Sequence, residues 1–147
     1  MTTIRQTATP LPLPVEAGRA RRRRERGGAV LAAAVATSTV WLVGHAFGVD
    51  YLLRDSMGKA TITLPIVIGF TLIFGVLGWA SLALLERFTR HARTAWTALA
   101  VAVALLSLLP ILPEHATVGT KVTLALVHLT VAAVLVPVLR RTSGGRS

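Results

Sequence analysis

The chain has 147 residues, 53% of them hydrophobic, and a mean hydropathy of +0.65, values that exclude an ordinary soluble domain. Its net charge of +10 does not indicate nucleic-acid binding, because the basic residues lie at the ends of apolar segments and are not interleaved with aromatic residues. The absence of cysteine excludes thiol catalysis and thiolate-bound metals.

Charged residues are distributed unevenly along the chain. All 22 of them lie outside four windows of 18 to 26 residues. A helix of about 18 to 20 residues covers the ~30 Å hydrocarbon core of a bilayer. The pattern predicts an all-α fold, a transmembrane four-helix bundle with up-down connectivity. Its spans are expected at about residues 28–48, 64–85, 95–112 and 122–139, within a transmembrane domain of residues 27–141.

Residues 1–26 are predicted to form a disordered, basic cytoplasmic tail. Proline and threonine dominate residues 7–14, and arginine dominates residues 19–26. The arginine cluster directly precedes the first span and favours a cytoplasmic N-terminus. The first span also resembles a signal peptide with a passable cleavage site at residues 46–48, but its length favours a retained anchor. Anionic lipid headgroups are the expected partners of Arg21, Arg22, Arg23 and Arg24.

Residues 49–63 connect the first two spans. Branched and aromatic side chains flank Asp55-Ser56-Met57-Gly58, whose composition is typical of a turn. A short β-hairpin on the outer surface is predicted here, with a plain loop as the alternative.

Small residues in the first two spans predict close contact between helices, because they do not hold a neighbouring backbone away. The four glycines expected to serve this purpose are Gly44, Gly48, Gly75 and Gly78. At the end of the second span Glu86 lies four residues before Arg90, the favourable order for an ion pair on one helix. We therefore expect a Glu86–Arg90 pair at the inner interface.

The distribution of lysine and arginine predicts the orientation in the membrane. With the N-terminus inside, 13 basic residues lie on the inner side and three, Arg54, Lys59 and Lys121, on the outer side. Acidic residues divide equally, so the basic residues alone decide the orientation. The prediction is a multi-pass protein of the plasma membrane with both termini in the cytoplasm, residues 142–147 forming a short C-terminal tail.

The histidines are the most informative polar residues of the spans. His128 lies ~9 Å into the fourth span at helical rise, so its imidazole is expected to face the bundle and pack there. We expect it to be neutral and bonded to a group on another helix. A sharper hypothesis joins it to His45, Asp50, Glu114 and His115 in a metal or proton site at the outer face. The spacing matches no ligand motif, so neither a metal nor another cofactor is predicted.

Catalytic signatures are missing from the sequence. It contains no Gly-x-Ser-x-Gly, no His-Glu-x-x-His and no paired aspartates, so an enzyme is not expected. The spans also contain no aspartate or glutamate, which small proton-coupled transporters need inside the membrane.

Residues 78–108 and 120–141 resemble a family of small actinobacterial four-helix membrane proteins of unknown function. A Gly-Trp-Ala run that enters a Leu-Glu-Arg turn and a histidine in the last span carry the resemblance. The matching positions are Gly78, Trp79, Ala80, Leu85, Glu86, Arg87 and His128. The resemblance extends over about residues 29–141. It implies a fold and a membrane location, and it implies no activity.

These observations lead to one functional expectation and two alternatives. The expected function is that of a structural or accessory membrane component, which acts through helix packing against a second copy or another membrane protein. A small oligomeric transporter or channel is the alternative, and a metal or redox site at the outer face comes third.

Overall fold

The computed structural model describes residues 14–55, 58–109 and 117–143. Within these ranges lie four helices and a two-stranded sheet, in the order α1 Pro14–Ala46, β1 Leu52–Asp55, β2 Gly58–Thr61, α2 Leu64–Phe88, α3 Ala92–Leu106 and α4 Val118–Thr142. By length and composition α1, α2 and α4 are able to cross a membrane, and α3 is a shorter apolar helix. The predicted all-α, four-helix fold is confirmed.

The N-terminal half of α1 differs from the prediction. The helix begins at Pro14, so the disorder expected for residues 14–26 is wrong, while residues 1–13 lie outside the described part of the chain. Arginine is a good helix former, and the exposed side chains of this segment need no packing partner. Arg21 and Glu25 also form an ion pair one turn apart, with 2.8 Å between Nε and Oε1. The basic segment therefore continues the apolar helix without a break.

The other end of α1 is closed by Gly48. Its backbone has φ +76°, in the left-handed region that favours glycine. Its N–H donates to His45 O at 3.0 Å, and Val49 N–H donates to Gly44 O at 3.0 Å. These two bonds form a Schellman motif. Gly48 was predicted to allow close packing, but nothing lies within 4 Å of where its Cβ would be; its role is to end the helix.

The predicted hairpin is present. Strands β1 and β2 pair antiparallel, with Leu52 opposite Thr61 and Asp55 opposite Gly58. This register leaves residues 56–57, which lie outside the described part of the chain, as the connection. The turn was predicted here from the composition of the four residues Asp55-Ser56-Met57-Gly58.

The helix bounds differ from the predicted spans at both ends. Helix α2 begins at Leu64 as expected and runs three residues beyond residue 85, and α4 is longer than residues 122–139 at both ends. Helix α3 stops at Leu106 and continues as turns to Leu109. Pro110 follows in the sequence, and a proline disfavours helical geometry in the residue before it. The rest of the predicted third span, 110–112, lies outside the described residues.

Helices α1, α2 and α4 build the core. Ala33, Leu82 and Leu139, one from each of these helices, are fully buried. The most extensive contacts are those of α1 with α4 and with α2. Helix α3 reaches this core through Trp96, which is 3% exposed and donates its indole N–H to Gly78 O at 2.9 Å. The bundle is thus a ring in which α1 and α3 each contact α2 and α4, and the contacts of α1 are the more extensive.

Two glycines mark the closest approaches between helices. A Cβ at Gly75 would lie 2.9 Å from Val30 Cγ1, and a Cβ at Gly44 would collide with the Tyr51 hydroxyl and lie 3.0 Å from Thr123 Cγ2. At Gly78 the nearest atom, Trp96 Cζ2, would lie at an ordinary 3.9 Å. Where a Cβ does not fit, the neighbouring helix packs on the glycine backbone itself.

We predict that Gly75→Ala destabilises the bundle by about 1 to 3 kcal/mol, because the new methyl group overlaps the stiff side chain of Val30. Unfolding in mixed detergent micelles, followed by circular dichroism, measures the change. Gly69→Ala in the same helix is the matched control, since nothing lies within 4 Å of its Cβ position. It should leave stability unchanged or raise it by up to about 1 kcal/mol; equal losses in both variants would contradict the close contact.

Candidate functional site

Arg26 is the centre of a polar cluster at one end of the bundle, called here the arginine end. Although charged, it is only 5% exposed. Its guanidinium donates to both oxygens of Glu86, with 2.7 Å from Nη2 to Oε1 and 3.3 Å from Nη1 to Oε2. Nε also donates to Thr142 Oγ1 at 3.2 Å, and Nη2 to Thr142 O at 2.8 Å. The cluster therefore joins α1, α2 and α4.

The positions of these residues in the sequence explain why they meet. Arg26 is the last charged residue before the first uncharged window, and Glu86 is the first charged residue after the second. In an antiparallel pair of helices the two lie at the same depth. A planar guanidinium matches a carboxylate with two parallel bonds, which makes this a strong form of ion pair.

The predicted partner of Glu86 needs correction. The predicted i, i+4 contact with Arg90 requires a helix that continues through both residues, but α2 ends at Phe88 and Thr89 is extended, with φ −142° and ψ 141°. Arg90 therefore lies beyond the helix, and the carboxylate is paired with Arg26 of α1 instead. Thr142, which was expected in a C-terminal tail, is the last residue of α4 and part of the cluster.

A second polar contact at the arginine end holds α3. Arg93 Nε, in the first turn of this helix, donates to the buried hydroxyl of Ser143 at 3.1 Å. Ser143 directly follows Thr142, so both arginines bind the C-terminal end of α4.

An aromatic stack holds the opposite end, called here the hairpin end. The Trp41 ring stacks on His45 and on Tyr51, with 5.0 Å between centroids in each pair. The Tyr51 hydroxyl donates to Trp41 O at 2.8 Å, and Trp41 Nε1 donates to Ile62 O at 3.1 Å. Burial raises the pKa of Tyr51, against the opposite effect of its hydrogen bond with Thr123, so the phenol stays protonated and donates. The hairpin is thereby fixed to α1.

His128 is bonded within its own helix. Its Nδ1 lies 2.7 Å from Leu124 O, one turn earlier in α4. A carbonyl oxygen only accepts, so Nδ1 carries a proton and donates it. The expectation of a partner on another helix is wrong, because the backbone carbonyl one turn back is already within reach.

The structure describes two of the three histidines of the hypothetical metal site. His45 contacts the Trp41 ring at the hairpin end, and His128 bonds to Leu124 O in α4. His115 lies outside the residues that the structure describes. Among residues 14–55, 58–109 and 117–143, no group of three histidine, aspartate or glutamate side chains is placed to hold a metal ion.

A groove of about 800 Å³ runs between α2, α3 and α4. We call it the lateral groove. Leu53 and Ile62 of the hairpin segment line one end, and Trp96 and Leu139 line the other. Most of the side chains between them are apolar. An apolar groove of this size, open at the side of a bundle, is a candidate site for an apolar ligand or another helix.

The polar groups along the lateral groove are mostly satisfied by their own helices. The hydroxyls of Thr71, Ser81 and Ser107 donate to backbone carbonyls three or four residues earlier, at 2.7 to 2.9 Å. His128 does the same. Each of these hydroxyls thus has a partner for its proton without a bond to another helix.

Sequence reasoning missed the most buried members of these sites. Arg26 and Thr142 were assigned to the two tails, and Tyr51 was assigned only to the segment that connects the first two spans. One signal for Arg26 was available, since Glu86 is the only acid at the arginine end of α2 and an opposite charge must lie at its depth.

Comparison with known proteins gives one match. A family model described as a family of unknown function, DUF6069, matches residues 17–145 and so includes most of α1 and the other helices. Curated proteins and solved structures gave no match.

We predict that Glu86→Gln destabilises the bundle by about 2 to 4 kcal/mol, because it leaves the buried Arg26 without its counter-charge. The loss should be somewhat smaller than for a fully buried pair, since the Glu86 side chain keeps 21% of its exposure. Unfolding in mixed micelles measures it. Glu25→Gln removes the same charge from the exposed pair with Arg21 and should cost less than about 1 kcal/mol. Comparable losses in the two variants would contradict a structural role for the Arg26 cluster.

Proposed function

The chain belongs to DUF6069, a family of unknown function, and we propose that it is a structural or accessory component of the plasma membrane that acts through helix packing and not as an enzyme. The observation that carries this proposal is the lateral groove. The buried ion pair joins helices and the hydroxyls along the groove are bonded within their own helices, whereas the groove offers a long apolar surface to its surroundings.

The proposed occupant of the lateral groove is another transmembrane helix, from a second copy or from a different membrane protein. Phe70 and Phe74, stacked with 6.0 Å between centroids, line its α2 wall, and Leu99 and Val103 line its α3 wall. Two ridges of side chains with a depression between them are the surface that accepts the side-chain ridge of a further helix. The groove also reaches from the hairpin segment to Trp96, so it offers contact along the length of a span.

The alternative function is a small oligomeric transporter or channel. It requires a hydrated polar path through the membrane. Thr71, Ser81 and His128 along the groove are bonded to their own helices, which favours packing over transport.

We predict that the lateral groove is the side that contacts another helix in the native membrane. The sequence has no cysteine, so single cysteines are reporters without background. A benzophenone group attached at Phe74→Cys or Val103→Cys should give a protein adduct on irradiation of membranes. An adduct of twice the chain mass identifies a second copy, and any other mass identifies a different partner by mass spectrometry.

Leu31→Cys and Val35→Cys are matched controls on α1. Both residues are exposed, at 64% and 68%, and neither lines the lateral groove. They should give lipid adducts only. Equal protein adducts at all four positions, or lipid adducts at all four, would contradict the proposal. In a separate assay, ion flux into liposomes that contain the purified chain would support the transporter alternative.

We propose an orientation with the arginine end at the cytoplasmic surface. Arg21 to Arg24 are exposed on the helical extension of α1, two to five residues before the buried Arg26. At ~1.5 Å per residue they lie ~3 to 8 Å outside the Arg26 cluster, which is the depth of the headgroups. Anionic lipids of the inner leaflet are therefore the proposed partners of these four arginines.

We predict that both termini are cytoplasmic. A fluorescent protein fused to either end should fluoresce, and alkaline phosphatase at the same positions should be inactive. A phosphatase inserted between β1 and β2, after residue 56, should be active because the hairpin lies on the other side. Active phosphatase at either terminus would contradict the proposed topology.

A further inference from the structure

We propose that a second groove, on the side of α3 at the arginine end, binds one anionic phospholipid. This headgroup groove has a volume of about 580 Å³ and is lined by Arg93 and Arg140 together with an apolar stripe of α3 that ends at Leu105. It is separate from the lateral groove and from the extension of α1, and it does not rest on the proposed helix packing.

The dimensions of the headgroup groove fit one acyl chain of one leaflet. Its lining residues on α3 recur every three or four positions, so they lie on one face of the helix. From Arg93 to Leu105 the helix rises ~18 Å, slightly more than half of the ~30 Å hydrocarbon core. Small side chains at Ala98 and Ala102 form the floor of the groove. A hydrocarbon chain that enters at Arg93 is thus accommodated to about the bilayer midplane.

The charges of the headgroup groove are at the end where a phosphate would lie. Arg93 bonds to Ser143, next to Thr142 in the Arg26 cluster, which places its guanidinium at the arginine end of the bundle. Arg140, near the end of α4, completes the pair, and both arginines are exposed. Among the described residues, those that line the groove include these two cations and no carboxylate.

The combination of charge and apolar stripe selects a phospholipid over a free anion. The planar fork of a guanidinium matches the oxygens of a phosphate. A soluble phosphate would use the arginines and leave the stripe from Ala98 to Leu105 in contact with bulk lipid. A phospholipid uses both, and basic pockets beside membrane helices are known to recognise anionic headgroups in this way.

The test is a titration of the full-length chain with phosphatidylglycerol in mixed micelles, read by native mass spectrometry. Arg140→Gln should weaken binding about fivefold, the effect of one basic residue near a headgroup. Arg141→Gln is the matched control, because this neighbouring arginine is exposed and does not line the groove. It should change binding less than twofold. Equal losses in the two variants would overturn the proposal, since general attraction to the basic surface then explains the binding.

A second pair of variants tests the acyl chain without changing charge. Ala102→Leu fills the floor of the headgroup groove and should weaken binding at least fivefold, whereas Ala133→Leu, on an exposed face of α4 outside both grooves, should not. Unchanged binding by Ala102→Leu would overturn the proposal. Soluble glycerol phosphate should not compete at concentrations at which phosphatidylglycerol saturates; competition would assign the arginines to a free phosphate.

Discussion

The ion pair between Arg26 and Glu86 is the interaction on which the arrangement of the helices depends. In lipid each helix satisfies its own backbone, and apolar side chains gain little by exchanging a lipid neighbour for a protein one. Helices of this composition therefore rotate and slide at small cost. A buried guanidinium does not tolerate such movement, because its counter-charge must lie at one depth and on one face. By binding Glu86 and Thr142 together, Arg26 fixes the register of α1, α2 and α4 at once.

Helix α3 is attached to the rest of the bundle mainly near its N-terminal end. Its described contacts with fixed geometry, Trp96 with Gly78 and Arg93 with Ser143, both lie in its first turns. Toward Leu106 the helix presents alanine, valine and leucine, which pack against lipid as well as against protein. A short helix held at one end cannot cover the neighbouring faces of α2 and α4. Both grooves border on it for this reason, and the surface available to partners is set mainly by α3.

Local sequence patterns predicted those features of the fold that depend on residues close together in the sequence. Uncharged windows located the start of α2 at Leu64, and the turn residues between β1 and β2 located the hairpin, because both depend on neighbouring residues. The partner of Glu86 could not be found in this way, since Arg26 lies 60 residues away and no spacing encodes that contact. Arg26 was misassigned because the first uncharged window begins directly after it, and every charged residue before that window was assigned to the N-terminal tail. The polar cluster around Arg26 could not be predicted for the same reason, because its members come from three separate helices.

The two ends of the bundle are closed by different means, and this decides how a molecule reaches the lateral groove. At the hairpin end, Leu53 and Ile62 border the groove, and the bond from Trp41 to Ile62 O holds that segment against α1. At the arginine end, Trp96 and Leu139 border it, packed beside the Arg26 cluster. Entry from water would have to displace a buried aromatic side chain at one end or the docked hairpin at the other. Entry from the side displaces only lipid, so the groove suits a helix that diffuses within the membrane better than a solute that crosses it.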